Sequence, residues 1–173
     1  AEVQITSNHN GEDASAGFHF KQVPPPSRND AATAAKFTVL DGMRDGNGGG
    51  LDRLHDGELP AEEDAPAQNF FFEAGSSGGR LVVAFEQPKD VKEVNTYSWH
   101  PGSRGPQVYK LYATDGTATN FNARPERGSS LEQFGWRLVA SVDTSADGGG
   151  QYGVSITDSK GALGKFRYLL FDI

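Results

Sequence analysis

The chain has 173 residues, 16 basic against 23 acidic, a net charge of −7 and no cysteine. A net charge of −7 argues against nucleic acid or an anionic membrane as partner, because the chain has no surplus of positive charge to neutralise phosphates. The lack of cysteine excludes disulfides, thiolate metal sites and a cysteine nucleophile. No run of 18 apolar residues occurs, so no segment predicts membrane insertion. Hydrophobic residues make up 36%, while 22 glycines and 9 prolines point to many turns and short strands.

In chain order, Phe18 to Val23 predicts the first strand, stopped by Pro24, Pro25 and Pro26. Asn29-Asp30 then offers an N-cap for a short helical turn, followed by a brief strand around Phe37, Val39 and Leu40. Residues 41–66 are rich in Gly, Asp and Glu without a sustained period, as in a long functional loop. Asn69 to Ala74 leads through Gly75-Ser76-Ser77-Gly78-Gly79 into Arg80 to Glu86, which reads as a hairpin. Glu93 to His100, Gln107 to Thr114, Trp136 to Val142, Gln151 to Thr157 and Lys165 to Ile173 complete a count of eight or nine strands. Within them Tyr109, Leu111, Leu138, Ala140, Val142 and Leu170 alternate as core residues. The fold class is all-β, an antiparallel β-sandwich in one domain over 1–173. Residues 1–50 are an N-terminal elaboration that includes the first strand.

Several motifs suggest chemistry. Gly75-Ser76-Ser77-Gly78-Gly79 matches a nucleophile elbow, but that elbow needs a following helix and here a strand follows. His9, His19, His55 and His100 lack zinc spacing. Asp45-Gly46-Asn47-Gly48-Gly49 starts like an EF-hand loop without its closing Glu, so a turn is the simpler reading. Asp172 sits between Phe171 and Ile173 in the most apolar strand. It either reaches solvent at an edge or is paired or metal-bound, with Asp56 in the Leu51 to Ala61 loop as a possible co-ligand for Ca²⁺. The most unusual segment is Trp99-His100-Pro101-Gly102-Ser103-Arg104-Gly105-Pro106, which puts an indole, an imidazole and a guanidinium between two strands.

Leu54-His55-Asp56-Gly57, Arg80 to Trp99, Tyr109-Lys110-Leu111-Tyr112-Ala113-Thr114-Asp115-Gly116, and Phe166 to Ile173 come in the order of the F5/8 type C (discoidin-like) family. That family includes the family 32 carbohydrate-binding modules. The chain resembles this family over about residues 50–173. The resemblance implies a galactose-binding-like jelly roll, non-catalytic, secreted, and part of a larger multidomain bacterial protein. It also implies structural Ca²⁺ held by carbonyls of Arg53, Glu58, Ala61 and Phe171 and carboxylates of Asp56 and Asp172. Ala61 lacks the hydroxyl often found there, and Asp172 is shorter than the usual Glu. With ligands held by loops at one end, Trp99, His100 and Arg104 are the expected sugar-binding residues. Phe121 and Arg124 would join them. Sugar C–H faces pack on rings and sugar hydroxyls need polar partners. A protein-binding adhesion module of the same fold is the alternative partner class, and an esterase or glycosidase the minor one.

Overall fold

The structure, a computed structural model, describes residues 2–17 and 19–173. Eight strands form two antiparallel sheets: β1 Val3–Asn10, β2 Lys36–Asp41, β3 Arg80–Val91, β4 Glu93–His100, β5 Val108–Thr114, β6 Arg137–Asp143, β7 Gly150–Asp158 and β8 Gly164–Asp172. One sheet has the order β1-β7-β4 and the other β2-β3-β8-β5-β6. The predicted antiparallel β-sandwich is what forms. Residues 1–50 supply one strand to each sheet.

Alternation explains the core between the sheets. Val154 and Ile156 from β7 meet Leu111, Ala113, Val83, Leu169 and Val142 from the five-stranded sheet. A second cluster lies on the outer face of that sheet: Val82, Tyr112, Leu131, Trp136 and Leu170, joined by Phe121, Phe134 and Tyr168. It forms because residues 115–136 leave the far end of β5 and fold back across this face.

Several expected elements differ. The first strand is β1, not 18–23. Phe18 lies outside the described residues, and 19–23 is irregular because Asn8 Oδ1 accepts the backbone N–H groups of Gln22 (2.8 Å) and Val23 (3.2 Å) that a ladder would need. This segment covers the outer face of β7, where a Cβ on Gly153 would lie 3.0 Å from the Phe20 ring. Residues 29–35 form bends and turns without a helix, and Asp30 Oδ1 accepts the Thr33 N–H at 3.1 Å.

The hairpin expected from 69–86 is absent, since β3 pairs with β2 and β8. Instead Arg44 bridges Phe72, with the Asp45 N–H on the Phe71 carbonyl and the Glu73 N–H on the Met43 carbonyl, both 2.9 Å. This neck closes the base of the 46–70 excursion. Asp45 Oδ1 accepts the Asn47 N–H at 2.9 Å, so the EF-hand-like start is an Asx turn.

Leu138 is the one expected core residue that fails, at 43% exposed. Leu111 pairs with Ala140 but Tyr112 pairs with Leu138, so Val139 is a bulge. The extra residue reverses the alternation, and Val139 enters the core at 9% exposed.

Candidate functional site

β4 is an edge strand of the three-stranded sheet, and its last residues run into the 101–107 crossing to β5 in the other sheet. That crossing is tied down by polar contacts. Ser98 Oγ donates to the Gly105 carbonyl (2.5 Å), and Thr96 Oγ1 donates to Gln107 Oε1 (2.5 Å). The Gln107 N–H in turn donates to Thr144 Oγ1 at 2.8 Å. Glycine is required where this crossing meets the turn before β7, because a Cβ on Gly149 would overlap the Pro101 carbonyl.

Between the free edge of β4 and the returning arm of the 46–70 excursion lies a shallow cleft. Its lining includes Asp64, Phe71, Tyr97, Trp99, His100 and Arg104. Its volume, about 90 Å³, is too small to enclose a ligand, so contact has to be made from above.

Trp99 is buried at 7% exposure, and its Nε1 has no hydrogen-bond partner. His100 Nδ1 accepts the Gly102 N–H at 2.9 Å, which in the neutral ring puts the proton on Nε2. Nε2 faces Asp64 Oδ1 at 3.9 Å, too far for a direct bond. A donor and an acceptor therefore stand side by side, both free to engage one hydroxyl. Arg104 carries its guanidinium 5.1 Å from the centre of the Phe71 ring. That stacking leaves the N–H donors in the guanidinium plane unused. Burial, then the charges of Glu93 and Asp30, push the Tyr97 phenol up to about 12, and its hydroxyl donates to the Pro24 carbonyl.

The structure thus brings Trp99, His100 and Arg104 together and separates Phe121 and Arg124 from them. Phe121 is packing, stacked on Tyr168 at 5.3 Å and tilted on Trp136 at 5.9 Å. Arg124 lines a second cleft with Asp41 and Arg80 on the outer face of the five-stranded sheet. Asp64, Phe71 and Tyr97 were not foreseen as site residues. Three consecutive phenylalanines, Phe70 to Phe72, held the signal, since a strand cannot point three adjacent rings to one face.

The two carboxylates of the set implied for Ca²⁺ stand apart. Asp56 Oδ1 accepts the Glu58 N–H (2.9 Å), and Oδ2 faces Arg53 at 3.5 Å. Glu58 is ion-paired with Arg28, and the Ala61 N–H donates to Gln68 Oε1 at 2.6 Å. Phe171 pairs with Leu81 on one side and Leu111 on the other, so its carbonyl belongs to the ladder. Asp172 shares the outer face of β8 with Leu170, where its charge is the last contributor, after burial and Glu132, to the raised Tyr112 pKa. The loop of Asp56 instead lies against the inner side, His55 stacking on Phe37 at 4.3 Å. Among the described residues no three His, Asp or Glu side chains gather where they could hold a metal.

No family model matches the chain, and no curated protein matches it. Among solved structures, the X-ray structure of a GH31 CBM32-2 bound to GalNAc is similar at 11% identity, with 99% of this chain and 86% of that chain covered and a TM-score of 0.37. An overlap at that score fixes neither the residues nor the ligand of this chain.

Proposed function

We propose that the chain is a non-catalytic carbohydrate-binding module that holds one sugar, or one chain end, against the edge of β4. The observation that carries this reading is the convergence on one shallow cleft of a stacked guanidinium, an imidazole N–H beside a carboxylate, and aromatic rings. Sugars ask for that combination. Their hydroxyls are both donors and acceptors, and their C–H faces pack on aromatic surface. Asp64 is the single carboxylate among the described lining residues, whereas glycoside hydrolysis uses two. The reading includes a secreted setting within a larger protein. No helix among the described residues is long and apolar enough to cross a membrane.

A glycan array, followed by titration of the hits, tests it. Arg104 is exposed, and its guanidinium lies over the Phe71 ring with no hydrogen bond or ion pair among the described residues. Arg104→Ala should therefore lose a charge-assisted hydrogen bond of about 1.5–3 kcal/mol, roughly tenfold or more in affinity, with the melting temperature unchanged. An array without hits, alongside specific capture of a protein ligand that Arg104→Ala abolishes, would replace this reading with the adhesion-module one.

A further inference from the structure

We propose that the second cleft, on the outer face of the five-stranded sheet, binds an oxyanion, the carboxylate or sulfate of an acidic saccharide. It extends the glycan reading to charged sugars and uses none of the residues beside β4.

The cleft is lined by Leu40, Asp41, Arg80, Arg124, Glu126 and Arg127 together with the buried Pro125, and its volume is about 320 Å³. That is within the range of small-molecule sites, which start near ~300 Å³.

Its floor is a buried charge. Arg80 is 4% exposed, and its Nε and Nη2 both face Asp41 Oδ2, at 2.8 and 2.7 Å. Nη2 also donates to the Pro125 carbonyl at 2.7 Å. Asp41 Oδ1 is buried without a hydrogen bond, and Arg127 Nη1 stands 3.7 Å from it. Asp41 is therefore shared between two guanidiniums, and Arg127 spends another donor on the Ser77 carbonyl.

The tie from Arg80 to Pro125 explains why the 115–136 segment stays on the sheet. It does not explain Arg124. Among the described residues the Arg124 side chain has no hydrogen bond or ion pair. Only its backbone N–H is engaged, on Asn122 Oδ1 at 2.9 Å. Among the lining residues three guanidiniums stand with the two carboxylates of Asp41 and Glu126, and Arg124 is the guanidinium left without a side-chain partner. A guanidinium's paired donors match the paired oxygens of a carboxylate or sulfate, so an oxyanion entering beside Arg124 finds unused donors.

The test is calorimetric titration of the full chain, at low and at high salt, with oligogalacturonate, a sulfated galactose oligomer and a neutral galactose oligomer. Saturable binding of either acidic probe is expected, weaker at high salt because the charge is partly exposed. Which acidic probe binds tells carboxylate from sulfate as the source. Arg124→Ala should weaken that binding about tenfold without moving the melting temperature. Lys160→Ala removes one positive charge from the exposed β7–β8 turn and should leave binding within about twofold, since a distant surface charge is screened. No saturable acidic binding at low salt, full binding by Arg124→Ala, or equal losses in both variants would each overturn the proposal. Neutral-sugar binding that persists in any of those cases leaves the β4 reading standing.

Discussion

The bulge in β6 gives a sharp prediction, because simple alternation and the structure assign opposite roles to two adjacent residues. Val139→Ala removes two carbons from a site 9% exposed, in the core cluster that holds Ala113 and Leu111 of the neighbouring strand β5. At about 0.8 kcal/mol per buried carbon, plus a term for the cavity left behind, the loss comes to about 2–3 kcal/mol. Leu138→Ala removes three carbons, but from a side chain 43% exposed, and should cost less than about 1 kcal/mol. For a chain of this size each kcal/mol moves the melting temperature by about 2–4 °C. Thermal unfolding followed by circular dichroism should therefore show a drop of roughly 5–10 °C for Val139→Ala and under about 4 °C for Leu138→Ala. Under unbroken alternation Leu138→Ala is the damaging change, at about 2–5 kcal/mol. A larger drop for Leu138→Ala than for Val139→Ala would refute the bulge and the register that follows from it.

Phe121→Ala should lower the melting temperature by several degrees, through lost stacking on Tyr168 and Trp136, while any glycan that depends on Arg104 still binds. Reduced glycan affinity at an unchanged melting temperature would return Phe121 to the ligand site. Melts in calcium and in chelator should superimpose, because Asp56 and Asp172 lie on different sides of the five-stranded sheet. A chelator-dependent drop that Asp56→Asn removes would show that the two converge after all. Burial pushes the Tyr109 phenol up to about 12, against the opposing hydrogen bond with Thr96. The fold thus favours the neutral phenol. This stability is complete below pH ~10 and is lost as pH rises through ~12, about 2–3 kcal/mol in all. Tyr109→Phe should reduce that fall, Tyr97 supplying the remainder, and an unchanged fall would place the titrating group elsewhere.

The strands were legible where a physical period repeats. Tyr109, Leu111 and Ala113 alternate over a straight strand, and all three are buried as expected. Alternation fails at Val139 because a bulge depends on a neighbouring strand that the local sequence does not contain. The same holds for 19–23, whose strand-like residues lose their ladder to the side chain of Asn8. The site was half legible. Trp99, His100 and Arg104 are close in sequence, and a short crossing holds them together whatever surrounds it. Asp64 and Phe71 reach the cleft through the fold-back of a long excursion, and no local pattern encodes that. Phe121 and Arg124, three residues apart, part company because one faces the sheet and the other a cleft. The calcium set follows the order of a resembling family, but sequence order does not bring Asp56 and Asp172 together: Asp56 faces Arg53, and Asp172 stands on the outer face of β8.

The neck at residues 43–45 and 71–73 sets how this molecule could change. It holds the ends of the 46–70 excursion together, so strand pairing does not depend on how long that excursion is, while His55 within it anchors one stretch on Phe37 of β2. Loop closure costs only about 0.6 kcal/mol for each doubling of length, and residues could be inserted or exchanged there at little expense to folding. The excursion also supplies Asp64, Pro66, Asn69 and Phe70 to one wall of the cleft, beside Phe71 of the neck, while β4 supplies the other. The fixed wall belongs to the scaffold and the replaceable wall to a tethered arm. Diversification of this protein, in nature or by design, has a natural place to act: swapping the arm rewrites what the cleft meets and leaves the eight strands as they are.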